Sequence, residues 1–255
     1  MNLLTTEHLT VGYKRNDLAT DVNLTLTEGL TALIGPNGVG KSTLIKTLTG
    51  ILKAKEGVVK LKDRNIREFS KKSLAREIAV VYTESGLAGG LRLHEYVSLG
   101  RYPYTGISGK LSSEDRDIIH DTLEVVGISH KSHSFVAELS DGERQKGMIA
   151  KALVQKTPLI IMDEPFTYLD VASRLEILSI MRTLTSGTGR AILFSTHEVT
   201  ESLDFSDKIW IFKNRTIVEG SPDFLIDQGE LGTLFESKNI YFDKTTRQFR
   251  IADKQ

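Results

Sequence analysis

The stretch Gly35-Pro36-Asn37-Gly38-Val39-Gly40-Lys41-Ser42-Thr43 decides the fold of this chain and the kind of ligand it binds. Two glycines flank four residues and are followed by lysine and serine, which is the spacing of a phosphate-binding loop. An apolar run at residues 30–34 precedes the loop, and a helix-like run at 42–48 follows it. Glycines let successive backbone N–H groups turn toward a phosphate, and the helix start adds positive potential. This context favours a phosphate site over a strand-to-helix turn without a chemical role.

Two side chains of the loop have separate predicted roles. Lys41 is predicted to reach the β- and γ-phosphates of a nucleotide, and the Ser42 hydroxyl is predicted to bind Mg²⁺. The remaining loop residues supply the backbone that surrounds the phosphates.

Composition excludes several kinds of protein. Lys and Arg number 33, as do Asp and Glu, so the net charge is zero and no basic nucleic-acid footprint is expected. There are no cysteines, which excludes disulfides and thiolate metal sites. We find neither a signal-peptide pattern nor an apolar run of the ~20 residues that cross a bilayer. If this protein acts at a membrane, another chain must therefore supply the span.

The hydrophobic pattern predicts an α/β fold with a mainly parallel sheet. Predicted strands cover residues 3–13, 21–26, 30–34, 57–61, 78–82, 159–163, 191–195 and 208–212, with a polar turn at 14–16. Between about 84 and 155 helical periodicity dominates, which predicts an inserted helical lobe. We therefore expect one domain over residues 1–220 and an extension over 221–255. The extension is predicted to contain a short helix and a β-hairpin.

Two adjacent carboxylates end an apolar strand at Leu159-Ile160-Ile161-Met162-Asp163-Glu164. The carboxyl ends of parallel strands form the edge where α/β proteins bind ligands. Asp163 is predicted to bind Mg²⁺, and Glu164 to polarise an attacking water molecule. An acidic turn after a buried strand is the alternative, but the phosphate loop argues against it.

Two further motifs complete an ordered set. Leu139-Ser140-Asp141-Gly142-Glu143-Arg144-Gln145 follows the phosphate loop, and Ser195-Thr196-His197-Glu198 follows the two carboxylates. Over residues 3–220 the set resembles the ATP-binding-cassette (ABC) ATPases, with the first heptapeptide as their signature motif. The resemblance implies a phosphate-loop core with an antiparallel β portion, ATP and Mg²⁺ as ligands, and catalysis by Glu164, His197 and Lys41.

The resemblance also implies a head-to-tail homodimer in which each nucleotide lies between the phosphate loop of one copy and the signature helix of the other. Ser140, Gly142 and Glu143 would contact ATP bound to the partner copy. His197 would contact the γ-phosphate and help to hold the attacking water. In the same family pattern, Asp170 lies in the loop that communicates across the dimer, and Tyr13 lies where an aromatic ring stacks on adenine.

This sequence departs from the family pattern at two places. The family has Gln where this chain has Thr83, followed by Glu84. We expect the hydroxyl of Thr83 or the carboxylate of Glu84 to make the contact with Mg²⁺. Asp141 replaces the usual glycine, and a carboxylate there would repel a triphosphate. We therefore expect its side chain to point away, capping the helix or meeting Arg144.

Residues 96–106, which read YVSLGRYPYTG, resemble the corresponding segment in ATPases of iron-chelate (siderophore), haem and cobalamin importers. The resemblance implies two transmembrane permease subunits, contacted through Tyr102 and Tyr104, and indirectly an external substrate-binding protein. It places the chain peripherally on the cytoplasmic face of the inner membrane, with no nucleic-acid partner.

Three alternatives remain open. The chain could be an ABC ATPase without a membrane partner, as in translation or DNA repair, or a transporter subunit for another cargo. It could also be a nucleotide-binding regulator that does not hydrolyse ATP, although the presence of Lys41, Glu164 and His197 argues against this. The sequence itself does not name the cargo or the direction of transport.

Overall fold

The computed structural model describes residues 2–14, 16–82, 90–106, 109–234 and 240–251. The strands in these ranges are β1 (Asn2–Tyr13), β2 (Asn16–Val22), β3 (Thr25–Thr27), β4 (Gly29–Ile34), β5 (Glu56–Leu61), β6 (Arg64–Asn65), β7 (Ile78–Val81), β8 (Leu159–Met162), β9 (Ala191–Thr196), β10 (Lys208–Lys213), β11 (Thr216–Gly220), β12 (Ile240–Asp243) and β13 (Gln248–Ile251). The α-helices are α1 (Lys41–Leu48), α2 (Lys71–Leu74), α3 (Leu93–Ser98), α4 (Ser113–Val125), α5 (Asp141–Leu153), α6 (Val171–Thr185), α7 (Val199–Phe205) and α8 (Pro222–Asp227).

A six-stranded sheet forms the centre of the molecule, in the order β11-β10-β4-β9-β8-β7. Its pairs are parallel except for the antiparallel edge pair of β10 and β11. Strand β8 is buried along its whole length, because helices or the second sheet cover both faces of the parallel strands. The carboxyl ends of β4, β8 and β9 therefore lie side by side at one edge, which the sequence pattern predicted.

Two hydrophobic clusters cover the opposite faces of this sheet. Ile160 and Met162 of β8 belong to a cluster shared with α3, α4, α5 and α6. Leu159 and Ile161 point the other way, into a cluster shared with α1 and the antiparallel sheet. The alternation follows from the two-residue period of a strand. It fixes α1, which follows the phosphate loop, against the face opposite to α5, which carries the signature motif.

The antiparallel sheet has the order β2-β1-β5-β6, with β3 pairing with another part of β1. The predicted single strand over residues 21–26 is wrong, because this stretch is divided between the end of β2 and the start of β3. Asn16 already pairs with Tyr13, so the first turn is tighter than predicted. Asp21 adopts a φ of +52°, and its carboxylate lies 2.7 Å from Nδ1 of His8. This left-handed residue falls where the β1–β2 register is irregular. Val22 still pairs with Leu9, and the chain then pairs with an earlier part of β1 through β3.

The helices α3, α4 and α5 follow one another between β7 and β8, where the sequence predicted a helical lobe. Helix α4 places Ile118, Ile119 and Leu123 on its buried face. Beside it, the buried Arg101 side chain donates to Asp115 at 2.7 Å and to the carbonyl of Val154 at 2.8 Å. These bonds tie the segment after α3 to the start of α4 and the end of α5.

The last part of the chain contains the short helix and the hairpin that the sequence predicted. The hydroxyl of Ser221 caps α8 by accepting from the N–H of Phe224 at 3.3 Å. Strands β12 and β13 pair antiparallel, and the Asp243 carboxylate accepts from Thr245 N–H at 2.9 Å in the turn. The division into a domain over 1–220 and an extension over 221–255 stays a prediction.

Candidate active site

The phosphate loop joins β4 to α1 at the carboxyl edge of the sheet. Gly40 precedes α1 with a φ of +120°, a conformation that side chains with a β-carbon rarely adopt. A β-carbon there would also lie 3.1 Å from Cδ1 of Leu18. Gly40 has no side chain that could cap α1, and the first turn of the helix carries no acidic residue. Its first backbone N–H groups are therefore left for an anion, together with the positive end of the helix.

Lys41 is the first residue of α1 and reaches back to the start of the loop. Its side chain is buried, and Nζ donates to the carbonyl of Gly35 at 2.8 Å and to that of Pro36 at 3.3 Å. Nζ also lies 3.6 Å from Oε1 of Glu164, across the sheet edge. The ammonium group is thus held between the loop backbone and the carboxylate that the sequence predicted as catalytic.

The two carboxylates after β8 are held differently. Asp163 is buried, and its Oδ1 accepts from the Ser195 hydroxyl at 2.6 Å. Glu164 has a φ of +49°, which is uncommon for a residue other than glycine. This backbone conformation is held by a hydrogen bond from Glu164 N–H to the Ser195 oxygen at 2.9 Å. Non-glycine residues in the left-handed region are often found at functional sites.

His197 follows β9 and faces Glu164. Its Nδ1 lies 3.0 Å from Oε2 of Glu164, while the ring remains about half exposed. The glutamate therefore has Lys41 near one oxygen and His197 near the other. The structure brings these three predicted catalytic residues together, although they lie far apart in sequence.

A cavity of about 290 Å³ lies between the loop and Glu164. The residues that line it are Leu18, Asn37, Gly38, Gly40, Lys41, Ser42, Thr43 and Glu164. Leu18 was not predicted, because its place depends on the β1–β2 hairpin, whose register the sequence did not reveal. Tyr13 is about half exposed at the end of β1 and is not among the described residues that line this cavity. Its stacking on adenine stays a prediction.

The oxygen donors near the loop suit a magnesium ion. Ser42 offers a hydroxyl at the start of α1 and lines the cavity, and Asp163 offers a carboxylate directly after β8, which β9 separates from β4 in the sheet. Hydroxyl and carboxylate oxygens are the ligands that Mg²⁺ prefers, and it commonly bridges protein and phosphate oxygens. The donor chemistry therefore fits. Thr83 and Glu84, the candidates for a further contact, lie outside the described residues.

The signature stretch forms the start of α5. The Ser140 hydroxyl accepts from Glu143 N–H at 3.3 Å, and the Glu143 carboxylate accepts from Ser140 N–H at 2.8 Å. The hydrogen bond from Ser140 N–H is the main reason that the pKa of Glu143 lies below its usual value. The Lys131 ammonium group, 3.2 Å away, lowers this pKa further. Asp141 pairs with Arg144, as the sequence predicted.

The signature helix packs on the segment that follows Glu164. The buried side chain of Gln145 donates to the carbonyl of Pro165 at 2.7 Å. A β-carbon on Gly142 would lie 3.2 Å from the carbonyl oxygen of Tyr168. These contacts were not predicted, since nothing in the local pattern of the signature stretch indicates a partner 20 residues away.

The remaining predicted site residues have structural roles of their own. Asp170 caps α6 by accepting from Ser173 N–H at 2.7 Å, and this hydrogen bond lowers the pKa of its carboxyl. Tyr102 is largely exposed, with 72% of its surface accessible. The Tyr104 ring instead has the guanidinium group of Arg101 over it at 4.2 Å. The dimer and membrane contacts of these residues stay predictions.

Comparison with known proteins decides the family. The profile described as "ABC transporter" matches residues 19–167, more than half of the chain. The chain belongs to the ABC transporter family. It is similar to the iron(3+)-hydroxamate import ATP-binding protein FhuC of Bacillus subtilis, with 39% identity over 86% of this chain and 82% of that protein. The ferric enterobactin transport ATP-binding protein FepC of Escherichia coli is 30% identical over 86% of this chain and 82% of that protein.

The predicted resemblance to ATP-binding subunits of iron-chelate importers is therefore confirmed, as is the class of transport-coupled ATPase. A solved ATP-binding subunit of an ABC transporter superimposes with a TM-score of 0.80, at 28% identity, over 90% of this chain and 94% of that one. The dimeric ABC cassette MJ0796 shares the fold, with a TM-score of 0.77 at 24% identity over 86% of this chain and 98% of that one. In the described part of the chain, each helix is too short or too polar to cross a membrane.

Proposed function

We propose that this chain is the ATP-hydrolysing subunit of an importer for an iron-siderophore, haem or cobalamin type of cargo. The observation that carries the catalytic part is the position of the Glu164 carboxylate, 3.6 Å from Lys41 Nζ and 3.0 Å from His197 Nδ1 beside the phosphate-loop cavity. The cargo class rests on the relatives, since FhuC is named for iron(3+)-hydroxamate import and FepC for ferric enterobactin transport.

In this proposal the phosphate loop binds the triphosphate of ATP. The free N–H groups at the start of α1 and the Lys41 ammonium stabilise its negative charge. Ser42 and Asp163 hold Mg²⁺, which neutralises charge on the phosphate oxygens when it is bound. Thr83 or Glu84 adds a contact on the metal side.

Glu164 polarises the water that attacks the γ-phosphorus. The bond between that phosphorus and the bridging oxygen breaks, which yields ADP and phosphate. His197, whose ring is positioned by Glu164, contacts the γ-phosphate and helps to hold the water. The position of Glu164 depends on its left-handed backbone, so a small displacement of this peptide should slow the reaction.

The second half of each site comes from a second copy of the chain. Ser140 and the Gly142 N–H of that copy donate to the γ-phosphate at the start of α5, and Glu143 lies beside them. Asp170 lies in the loop that communicates between the two nucleotide sites across the dimer. Because hydrolysis then requires a closed homodimer, the energy of ATP can be coupled to motion of partner chains.

Two transmembrane permease subunits are the proposed partners, and Tyr102 and Tyr104 lie on the surface that meets them. The exposed ring of Tyr102 suits such a contact, because aromatic side chains bury a large apolar area. An external binding protein would deliver the cargo to the permease without touching this chain. The proposed location is the cytoplasmic face of the inner membrane.

A strain that lacks this chain tests the proposal through uptake of radiolabelled ferric hydroxamate, haem and cobalamin. The wild-type chain should restore uptake of one of these cargoes, whereas Glu164→Gln should not. Purified Glu164→Gln should bind ATP but hydrolyse it about 10²- to 10⁴-fold more slowly. Wild-type hydrolysis by Glu164→Gln would overturn the catalytic role, and normal uptake of all three cargoes without this chain would overturn the cargo class.

A further inference from the structure

The hydroxyl of Ser195 lies between the two carboxylates of the proposed site. Ser195 is the fifth residue of β9, which pairs in parallel with both β4 and β8. In the β8–β9 register Met162 is opposite Phe194, so the next residues, Asp163 and Ser195, continue side by side. The side chain is fully buried, so water does not compete for its hydrogen bonds.

Both hydrogen-bonding functions of this hydroxyl are used within the site. Its single O–H donor points to Oδ1 of Asp163 at 2.6 Å, and its oxygen accepts from Glu164 N–H at 2.9 Å. One atom therefore restricts the orientation of the carboxylate proposed to hold Mg²⁺ and also the peptide of the residue proposed to polarise water.

The Glu164 peptide needs such support. Its φ of +49° is unfavourable for a residue with a β-carbon, and such a conformation persists only where surrounding contacts hold it. With this backbone conformation, the Glu164 carboxylate lies 3.6 Å from Nζ of Lys41 and 3.0 Å from Nδ1 of His197. A relaxed peptide would move the carboxylate away from these two partners.

We propose that Ser195 is a positioning residue that couples the metal-side carboxylate Asp163 to the catalytic carboxylate Glu164 through one shared hydroxyl. It orients Asp163 toward the metal side and keeps Glu164 in its strained conformation. It touches neither the nucleotide nor the reacting water. This inference rests on the roles proposed above for Asp163 and Glu164.

Ser195→Ala tests the coupling because it removes only the hydroxyl. Hydrolysis should fall about 10- to 100-fold, the range seen when a partner that orients a metal ligand is lost. The fluorescent analogue mant-ATP should bind within about twofold of wild type without Mg²⁺, because the phosphate loop is intact. The Mg²⁺ concentration that gives the half-maximal change in mant-ATP fluorescence should rise about tenfold.

Three further variants separate positioning from folding. Ser206→Ala removes another buried serine hydroxyl, one without a hydrogen-bond partner in the described residues, and should match wild type. Ser195→Cys is close in size but donates weakly, so it should behave like Ser195→Ala. Ser195→Thr keeps the hydroxyl and should recover most of the lost activity and the wild-type Mg²⁺ requirement.

The inference is overturned if Ser195→Ala matches Ser206→Ala in both hydrolysis and Mg²⁺ requirement. It is also overturned if Ser195→Thr, folded by its melting temperature, is no better than Ser195→Ala. Glu164→Gln keeps the two failures apart. If Glu164→Gln hydrolyses ATP slowly and Ser195→Ala does not, the role proposed for Ser195 is wrong but the proposed function stands. If Glu164→Gln is fully active, the proposed function is itself wrong.

Discussion

Two helix starts carry the two halves of the proposed nucleotide site, and they are built in opposite ways. Helix α1 begins after Gly40, which has no side chain to cap it, and carries no acidic residue in its first turn. Helix α5 begins after Ser140 with a complete capping box, in which Ser140 and Glu143 satisfy each other's backbone N–H groups. At α1 the N-cap residue binds none of the backbone N–H donors, whereas at α5 the capping box binds two of them.

The difference indicates what each start can do with a phosphate. At α1 the free N–H groups can surround a phosphate directly. At α5 the Ser140 hydroxyl acts as an acceptor in the cap, so its own hydrogen remains for an anionic oxygen, as does the N–H of Gly142. Helix α1 therefore suits tight binding of nucleotide, and α5 suits a weaker, directional contact that completes the site.

Both starts connect to the loop that carries Glu164, from opposite sides. Lys41 at the start of α1 lies 3.6 Å from the Glu164 carboxylate. Gln145 in α5 donates to the carbonyl of Pro165, the next residue along the chain, at 2.7 Å. A displacement of either helix would therefore reach the catalytic loop through one side chain.

The largest expected effect belongs to the open start. Lys41→Met keeps the apolar stem but removes the charge beside the phosphates, so the affinity for ATP should fall by about 100-fold, which corresponds to roughly 2.7 kcal/mol. Binding of mant-ATP to the purified chain measures this. Lys46→Met on the same helix is the control, because Lys46 is not among the described residues lining the cavity, and it should bind normally. Equal affinity of the two variants for mant-ATP would show that the start of α1 is not the main binding site for the nucleotide.

A smaller effect is expected at the capped start. Ser140→Ala should leave mant-ATP binding unchanged but slow hydrolysis about tenfold, because one donor to the transition state, worth roughly 1.4 kcal/mol, is lost. It should also lower the free energy of unfolding by about 1 kcal/mol through loss of the cap.

Ser112→Ala controls for the cap itself. Ser112 caps α4 with the same reciprocal pattern and accepts from Asp115 N–H at 3.0 Å. Ser112→Ala should therefore lower the free energy of unfolding by a similar amount but leave the rate of ATP hydrolysis unchanged. If both variants slow hydrolysis equally, the effect of Ser140 is structural, and the comparison between the two helix starts fails.

The smallest effect concerns the charge of the capping box. Glu143→Gln retains the cap but removes the ion pair with Lys131, so the free energy of unfolding at pH 7 should fall by only about 0.5 kcal/mol. Because folding lowers the pKa of Glu143 from 4.5, its ionised form stabilises the fold fully above that pH and progressively less as the pH falls through the folded-state pKa. The difference in the free energy of unfolding between Glu143→Gln and wild type, measured by denaturant titration, should therefore decrease as the pH falls below 4.5.

Lys131→Met should produce a loss of the same size, because it removes the other partner of this ion pair. A loss after Glu143→Gln that is independent of pH would show that the charge is not its source.

Sequence alone predicted the parts of this site that depend on local pattern. The phosphate loop, the two carboxylates after β8 and the signature stretch each lie within a few consecutive residues, where spacing and residue type set the geometry. The pairing of Asp141 with Arg144 follows from the three-residue spacing on a helix in the same way. The hairpin of β12 and β13 was also visible, because its two strands are adjacent in the chain.

The contacts that were missed depend on distant parts of the chain. Leu18 reaches the phosphate loop only through the β1–β2 register, which the left-handed Asp21 interrupts. Ser195 meets Asp163 only because β9 pairs with β8 in one particular register, 32 residues away. A single sequence contains no local signal for such registers, since they are set by packing of the whole sheet.

In the proposed homodimer, each nucleotide site combines the α1 half of one chain with the α5 half of the other. Glu164→Gln disables the first half and Gly142→Asp the second, so each homodimer should hydrolyse ATP at well under a tenth of the wild-type rate. A mixed dimer, co-expressed with two different tags and purified through both, contains one fully intact site if the sites are shared between chains. We predict that this mixed dimer hydrolyses ATP well above the rate of either parent and at up to about half of the wild-type rate, because one of its two sites is intact. A mixed dimer that can be isolated but is as inactive as its two parents would show that the sites are not shared between the two chains.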